Sequence, residues 1–130
     1  MLEKILKRID DRGWLAELVS APRPIGHVYV TTCLPGVVKA WHLHKKQTDR
    51  FILLSGRLMV GLVKDEKATT HVLMPFESVL TIEPDIWHGF SALGNEEAVV
   101  LNCTDRAYDP SDEHRLPPDN FEFSWKPVSR

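Results

Sequence analysis

The chain is short of cysteine, of tyrosine, of long apolar runs and of any charge excess, and each shortage narrows what it can be. Its two cysteines, Cys33 and Cys103, could form at most one bridge. In a chain long enough to bury a proper core that says little about compartment, and both are read as reduced, half-buried thiols. Apolar runs such as Phe51 to Leu54 and Ala98 to Leu101 fall far short of the roughly 20 residues that span a membrane, so no transmembrane segment is expected. Sixteen basic against 18 acidic side chains give a net charge of -2, and no block of five like charges occurs. Such a chain has no basic field to gather nucleic acid. Met1 to Arg12 alternates charged and apolar residues too finely for a signal-peptide core, and the expected location is cytoplasmic.

What is present is an ordinary globular composition, 43% apolar and 26% charged over 130 residues, which excludes disordered, collagenous and coiled-coil chains and predicts one compact domain. Nine prolines and seven glycines leave brief runs rich in Val, Ile, Thr and Phe, the rhythm of an all-β protein. Strands are expected at Trp14 to Ser20, His27 to Thr32, Val37 to His44, Phe51 to Ser55, Arg57 to Val63, His71 to Met74, Ser78 to Ile82 and Ala98 to Cys103. That number of short strands implies a sandwich or barrel. Leu2, Ile5, Leu6 and Ile9 stand at helical spacing, so residues 1–20 begin as a short helix or an irregular arm leading into the first strand. Residues 104–130 are polar and Pro-rich, and end in Phe121, Phe123 and Trp125 at spacing two, a tail whose aromatic side packs back onto the body.

One constellation carries chemistry. Gly36 is followed by His42, His44, Asp49 and Gly56, and His88 lies further on. Side chains alternate across a strand, so His42 and His44 share a face and Asp49 can meet them from the returning strand. Three imidazoles and a carboxylate suit a divalent ion such as zinc, iron(II), nickel or manganese, with positions left for water or substrate. The spacing resembles the first cupin motif, G-x5-H-x-H-x4-E-x6-G, with Asp49 in place of Glu. Glu83 to His88 resembles the second, without its Pro and Gly. The resemblance implies a small antiparallel jelly-roll barrel.

A narrower resemblance runs along the chain. Asp10 to Glu17 resembles the D-x-R-G-x-x-x-x-E segment of dTDP-4-dehydrorhamnose 3,5-epimerases, Lys39-Ala40-Trp41-His42 their Arg-Gly-Leu-His, and His88-Gly89-Phe90 their His-Gly-Phe. Cys103-Thr104 with Tyr108-Asp109-Pro110 resembles their Cys-Thr and Tyr-x-Pro. By that resemblance Arg12 and Glu17 contact the nucleotide, often in a partner subunit, and Lys39 contacts the diphosphate. Likewise His42 is the catalytic base, Arg50 stands near the C4 oxygen, and His88 is a second pocket histidine. Strand parity sets Lys39 opposite His42, so a local irregularity is required between them. The family's catalytic Tyr is replaced by Leu101, its orienting Asp falls beyond the matched stretches, and its Gln two places after the catalytic His is His44 here. The His-x-His-x4-carboxylate pattern followed by Arg-Phe also resembles the zinc-binding cupin domain of capsular-polysaccharide enzymes acting on UDP-4-keto-6-deoxy sugars, and sugar 3,4-ketoisomerases share the His-x-His.

These relatives imply one reaction class: epimerisation or isomerisation of a nucleoside-diphosphate 4-keto-6-deoxy sugar in polysaccharide biosynthesis, by a homodimer that exchanges edge strands. A neutral imidazole removes the proton beside the ketone, and Arg50 or a metal stabilises the enolate. His42 thereby carries two expectations, ligand and base, which one imidazole does not easily meet together. The alternatives are a metal cupin of another class, such as a dioxygenase or small-sugar isomerase, and a non-catalytic sugar-nucleotide-binding cupin. Plainer readings stand beside these: Arg12 as a turn residue, Glu17 as an edge charge, Lys45 and Lys46 as edge protection. Trp14, Trp41, Trp87 and Trp125 read as core, and His27, His71 and His114 as incidental. Tyr108, the only tyrosine besides Tyr29, is the candidate to replace the missing acid.

Overall fold

The computed structural model describes residues 1–20 and 24–126. Its strands, in chain order, are β1 (Leu2–Lys4), β2 (Leu6–Asp10), β3 (Gly13–Glu17), β4 (His27–Cys33), β5 (Val38–Leu43), β6 (Asp49–Ser55), β7 (Leu58–Lys64), β8 (Lys67–Leu73), β9 (Ser78–Ile82), β10 (Trp87–Ala92), β11 (Ala98–Thr104) and β12 (His114–Arg115). Two five-stranded antiparallel sheets, in the orders β1-β9-β6-β11-β4 and β12-β5-β10-β7-β8, form the jelly roll, and β2-β3 is a separate two-stranded hairpin. The apolar side chains that alternate inward from both sheets, among them Leu53, Leu58, Val60, Leu73, Leu80 and Val100, form one buried cluster, the driving force for closing sheet on sheet. Gly36 and Gly56, which bracket the histidine motif, both sit at positive φ, +77° and +82°. At Gly56 a Cβ would also lie 2.5 Å from the Glu97 carbonyl oxygen, so the turn closes only with glycine. No helix among the described residues is long and apolar enough to cross a membrane.

The N-terminal segment is not helical. Leu2 pairs with Leu80 at the sheet edge, the terminal amine bonds the Thr81 carbonyl, and the Ile5 N–H bonds the Glu77 carbonyl. Of the apolar residues at helical spacing only Ile5 is buried, while Leu6 and Ile9 are 53% and 76% exposed. Backbone pairing to β9 outweighs the helical periodicity, and the spacing spans two strands broken at Ile5. β10 carries no run of β-branched residues to announce it, yet it lies at the centre of its sheet between β5 and β7. β8 begins earlier than the composition suggests.

Trp41 is fully buried on the outer side of its sheet, and its indole N–H donates to the Pro118 carbonyl. The rings of Phe121, Phe123 and Trp125 lie 5.2, 5.4 and 5.2 Å from it, each such pair adding about 0.5–1.5 kcal/mol beyond area burial. Gly61 leaves room for this cover, since a Cβ there would meet Phe123 at 2.7 Å. Trp14 is a correction: it sits on the hairpin, 57% exposed, not in the core. Cys33 and Cys103 are unbridged, and at 0% and 2% exposure they are fully rather than half buried.

Candidate functional site

Between the two sheets lies a cavity of about 410 Å³, lined by His42, His44, Asp49 and His88 together with Lys39, Tyr29, Asn102, Tyr108 and Glu113. A larger cleft of about 900 Å³ lies outside, along the N-terminal arm, and holds none of the histidines. Parity accounts for the inner cavity: Asp49 and Phe51 point inward from β6, and His42 and His88 face each other in register across β5 and β10. The irregularity required at Lys39 is present. The register steps from His88↔His42 to Phe90↔Lys39, an extra residue on β5 that brings Lys39 onto the cavity side. Its ammonium donates to the Thr32 carbonyl at 2.6 Å.

Within the cavity the four expected ligands divide. His44, Asp49 and His88 each offer one ligand atom, all within 4.8 Å of one another; His42 is outside that cluster among the described residues. The polar surroundings fix which atoms face inward. His44 Nδ1 lies 2.9 Å from the Asp112 carbonyl and His88 Nδ1 lies 3.1 Å from the Ile86 carbonyl. Both rings therefore carry the proton on Nδ1 and present an Nε2 lone pair. Asp49 Oδ1 accepts from the amides of Gln47 at 2.7 Å and Asn102 at 3.0 Å, leaving Oδ2 as the free oxygen. Oδ2 stands 3.6 Å from His44 Nε2 and 3.4 Å from His88 Nε2. The Gln47 amide nitrogen also grazes His44 Nε2 at 3.5 Å. A proton shared with the carboxylate would draw either pair in to roughly 2.7–2.9 Å. Two lone pairs and an anionic oxygen at these separations, with Asp49 only 2% exposed, fit a divalent cation.

His42 has a different partner. Its Nδ1 faces Glu113 Oε1 at 3.6 Å, an attraction that favours the Nδ1–H tautomer and leaves Nε2 as the basic atom. Burial pushes the His42 pKa below the ordinary histidine value and Arg115 adds to this, against the pull of Glu113. Burial also lowers His88, against Asp49. Glu113 is held by Arg115 at 2.9 Å and by the Tyr108 hydroxyl, which donates at 3.3 Å. Burial opposes its charge, but Arg115, His42 and Tyr108 together keep its carboxyl below the usual range. Tyr29 accepts a hydrogen bond from Asn102 Nδ2 at 2.8 Å, so its own O–H is free to donate into the cavity, and burial pushes its pKa up and keeps it protonated.

The remaining expected site residues fall elsewhere. Arg50, next to Asp49 on β6, points the other way: its guanidinium bonds the Pro24 carbonyl at 2.8 Å and the Cys103 carbonyl at 3.4 Å. It borders the outer cleft, so it cannot reach an enolate between the sheets, and strand parity alone predicts this. Glu17 borders that outer cleft too, and Arg12 pairs with Asp10 at the exposed hairpin tip at 2.6 Å. Glu113, Tyr29 and His27, which also lines the cavity, are the residues that sequence reasoning missed. Glu113 lies in an irregular loop with no spacing signal. Tyr29 is legible only through its register opposite Asn102 on β11.

Comparison with known proteins bears on the fold and the family. A family model described as the polysaccharide biosynthesis C-terminal domain matches residues 8–116. A probable low-salt glycan biosynthesis epimerase, Agl13 of Haloferax volcanii, is 36% identical over 126 residues, covering 85% of this chain and 81% of that protein. Among solved structures, a dTDP sugar isomerase from Desulfovibrio desulfuricans G20 superposes with a TM-score of 0.85 at 27% identity, over 96% of this chain and 89% of that one. The sugar 3,4-ketoisomerase QdtA of Thermoanaerobacterium thermosaccharolyticum, in complex with TDP, superposes with a TM-score of 0.80 at 25% identity, over 89% of this chain and 87% of that one.

Proposed function

The chain belongs to the polysaccharide biosynthesis C-terminal domain family, and from that premise we propose that it works as a cupin-type epimerase or isomerase of nucleoside-diphosphate 4-keto-6-deoxy sugars. The single observation that carries the reading is the division of the cavity into a ligand triad and a separate His42–Glu113 pair. It gives proton removal and oxygen polarisation to different groups, as enolisation beside a ketone requires.

His44, Asp49 and His88 would hold the ion. A divalent cation there supplies Lewis acidity toward a sugar oxygen. His42 Nε2 takes the proton from the carbon next to C4 while Glu113 keeps the ring in the productive tautomer. Tyr29, on the first sheet, also lines the cavity, and its hydroxyl would return a proton to the carbon. Lys39 offers the cavity a cation for the diphosphate. Phe51 and Phe90, in edge-to-face contact 5.8 Å apart, line the inner wall and limit water around the enolate. The reading places the reaction in polysaccharide biosynthesis and the protein in the cytoplasm.

A homodimer completes this reading. An isolated two-stranded hairpin is marginal by itself, and β2-β3 leaves Ile9, Trp14 and Leu15 more than half exposed. Covered by a second copy, the hairpin would carry Arg12 and Glu17 to the partner's nucleotide. Light scattering checks the stoichiometry, and a monomer at micromolar concentration refutes it.

The test of function is incubation of the metal-replete protein with dTDP- and UDP-4-keto-6-deoxyglucose in D2O, with the mass of the recovered sugar nucleotide set against an enzyme-free control. Protein-dependent deuterium uptake is expected. A second reading is favoured by the donor set itself, since two histidines and one carboxylate also suit non-haem iron(II). Oxygen consumption by the iron(II)-loaded protein, with no deuterium uptake from either sugar, would replace the first reading with this one.

A further inference from the structure

Residues 109–115 touch both halves of the cavity, and the side chain that anchors them belongs to neither half. Asp112 closes the short 3-10 turn Pro110–Asp112 and is 5% exposed. Its carboxylate is filled by three consecutive backbone N–H groups: Lys45 donates to Oδ1 at 2.9 Å, Lys46 to both oxygens at 3.2 Å, and Gln47 to Oδ2 at 3.1 Å. Those three residues begin the four-residue turn that joins His44 to Asp49. The same residue's main chain grips in the opposite direction, its carbonyl accepting His44 Nδ1–H at 2.9 Å. The next residue is Glu113, and β12 then pairs Arg115 with His42. One buried carboxylate thus fastens the segment that orients a ligand histidine to the segment that orients the base.

We propose that Asp112 is a positioning residue: its carboxylate locks residues 109–115 onto the β5–β6 turn, and this lock sets the ring of His44 and the place of Glu113 beside His42 together. The inference rests on the metal and base assignments made above, and it adds a coupling between them. Removal of the Asp112 carboxylate weakens metal binding although all three ligands remain. By reciprocity, metal binding steadies residues 109–115. Outer partners of metal ligands typically contribute 10- to 100-fold in affinity or activity.

The experiment compares the full-length wild type with Asp112→Ala and Asp112→Asn. Zinc affinity is measured by chelator competition, the cobalt(II) absorption spectrum is recorded, and the His44 tautomer is read from imidazole ¹⁵N shifts in the metal-free protein. The expected result for Asp112→Ala is about a 10- to 100-fold loss of zinc affinity, an altered cobalt spectrum, loss of the fixed Nδ1–H tautomer, and a fall in kcat with little change in KM. Asp112→Asn keeps one acceptor oxygen and should lie between that variant and the wild type. A lowered Tm with wild-type zinc affinity, cobalt spectrum and His44 tautomer would overturn the proposal and make Asp112 a structural residue only. If the wild type takes no metal, the metal assignment fails by itself. The coupling is then decided by the His44 tautomer and kcat, and wild-type values of both overturn it. Should Asp112→Ala not fold, wild-type behaviour of Asp112→Asn in every readout does the same.

Discussion

His42, near the end of β5, and His44, just past that strand, both line the cavity, yet it gives them opposite surroundings. On the triad side every group is immobilised. Backbone carbonyls hold both Nδ1 atoms, two amides saturate one oxygen of Asp49, and the free lone pairs converge. On the base side His42 is half-buried and its carboxylate stands at 3.6 Å, close enough to bias the tautomer and too far for a formed hydrogen bond. The two histidines of this His-x-His pair therefore keep different neighbours, His44 with Asp49 and His88 and His42 with Glu113. A ligand needs fixed lone pairs, whereas a base needs one free nitrogen and room for substrate.

The contrast breaks most visibly at Asp49. Asp49→Ala should lower metal affinity by more than the roughly 100-fold seen for outer partners, as measured by chelator competition, and His88→Ala should do the same. Metal retention in either variant would dissolve the triad. On the other side, Glu113→Gln should lower kcat about 10- to 100-fold with metal content unchanged, since general-base catalysis is worth about 10²–10⁴-fold and the variant keeps His42. A matching loss of metal would show that the two halves are not separable by mutation.

A smaller effect follows from pH. Burial lowers the pKa of both His42 and His88 in the folded chain. The unfolded chain therefore binds more protons between those lowered values and about 6.5, and stability rises with pH across that window. Denaturation of the metal-free protein should show stability intact above about pH 6.5 and falling as the solution is acidified below it. Flat stability from pH 7 to 5 would mean that neither imidazole is desolvated. The smallest effect belongs to Arg50, which points away from the cavity. Arg50→Lys should leave kcat within about two-fold while costing roughly 1–3 kcal/mol in denaturant unfolding, because the buried carbonyls it bonds lose their donors. A hundred-fold loss of kcat would return Arg50 to the mechanism.

Much of this was legible in the chain before the fold. Runs rich in Val, Ile, Thr and Phe between prolines and glycines announced β3 to β7, β9 and β11, and the Gly36 to Gly56 spacing placed His42, His44 and Asp49 in one cavity. The demand for an irregularity near Lys39 was met by the extra residue on β5. What the sequence hid depends on pairing and on irregular backbone. The β10 strand is set by its neighbours rather than by its own residues, and Glu113 reaches His42 from a loop. Tyr29 acquires a meaning only from its register with Asn102. Arg50 departs from the family correspondence because the strand parity that turns Asp49 inward turns its neighbour outward.

The separate roles of the two histidines are tested most directly by metal stoichiometry and solvent-deuterium uptake measured side by side in purified His42→Ala and His44→Ala proteins. The prediction is that His42→Ala keeps its metal at the wild-type level while deuterium uptake falls by about 10²–10⁴-fold, and that His44→Ala loses the metal. If His42→Ala loses the metal as completely as His44→Ala, or exchanges deuterium at the wild-type rate, the division of the cavity into ligand and base is wrong.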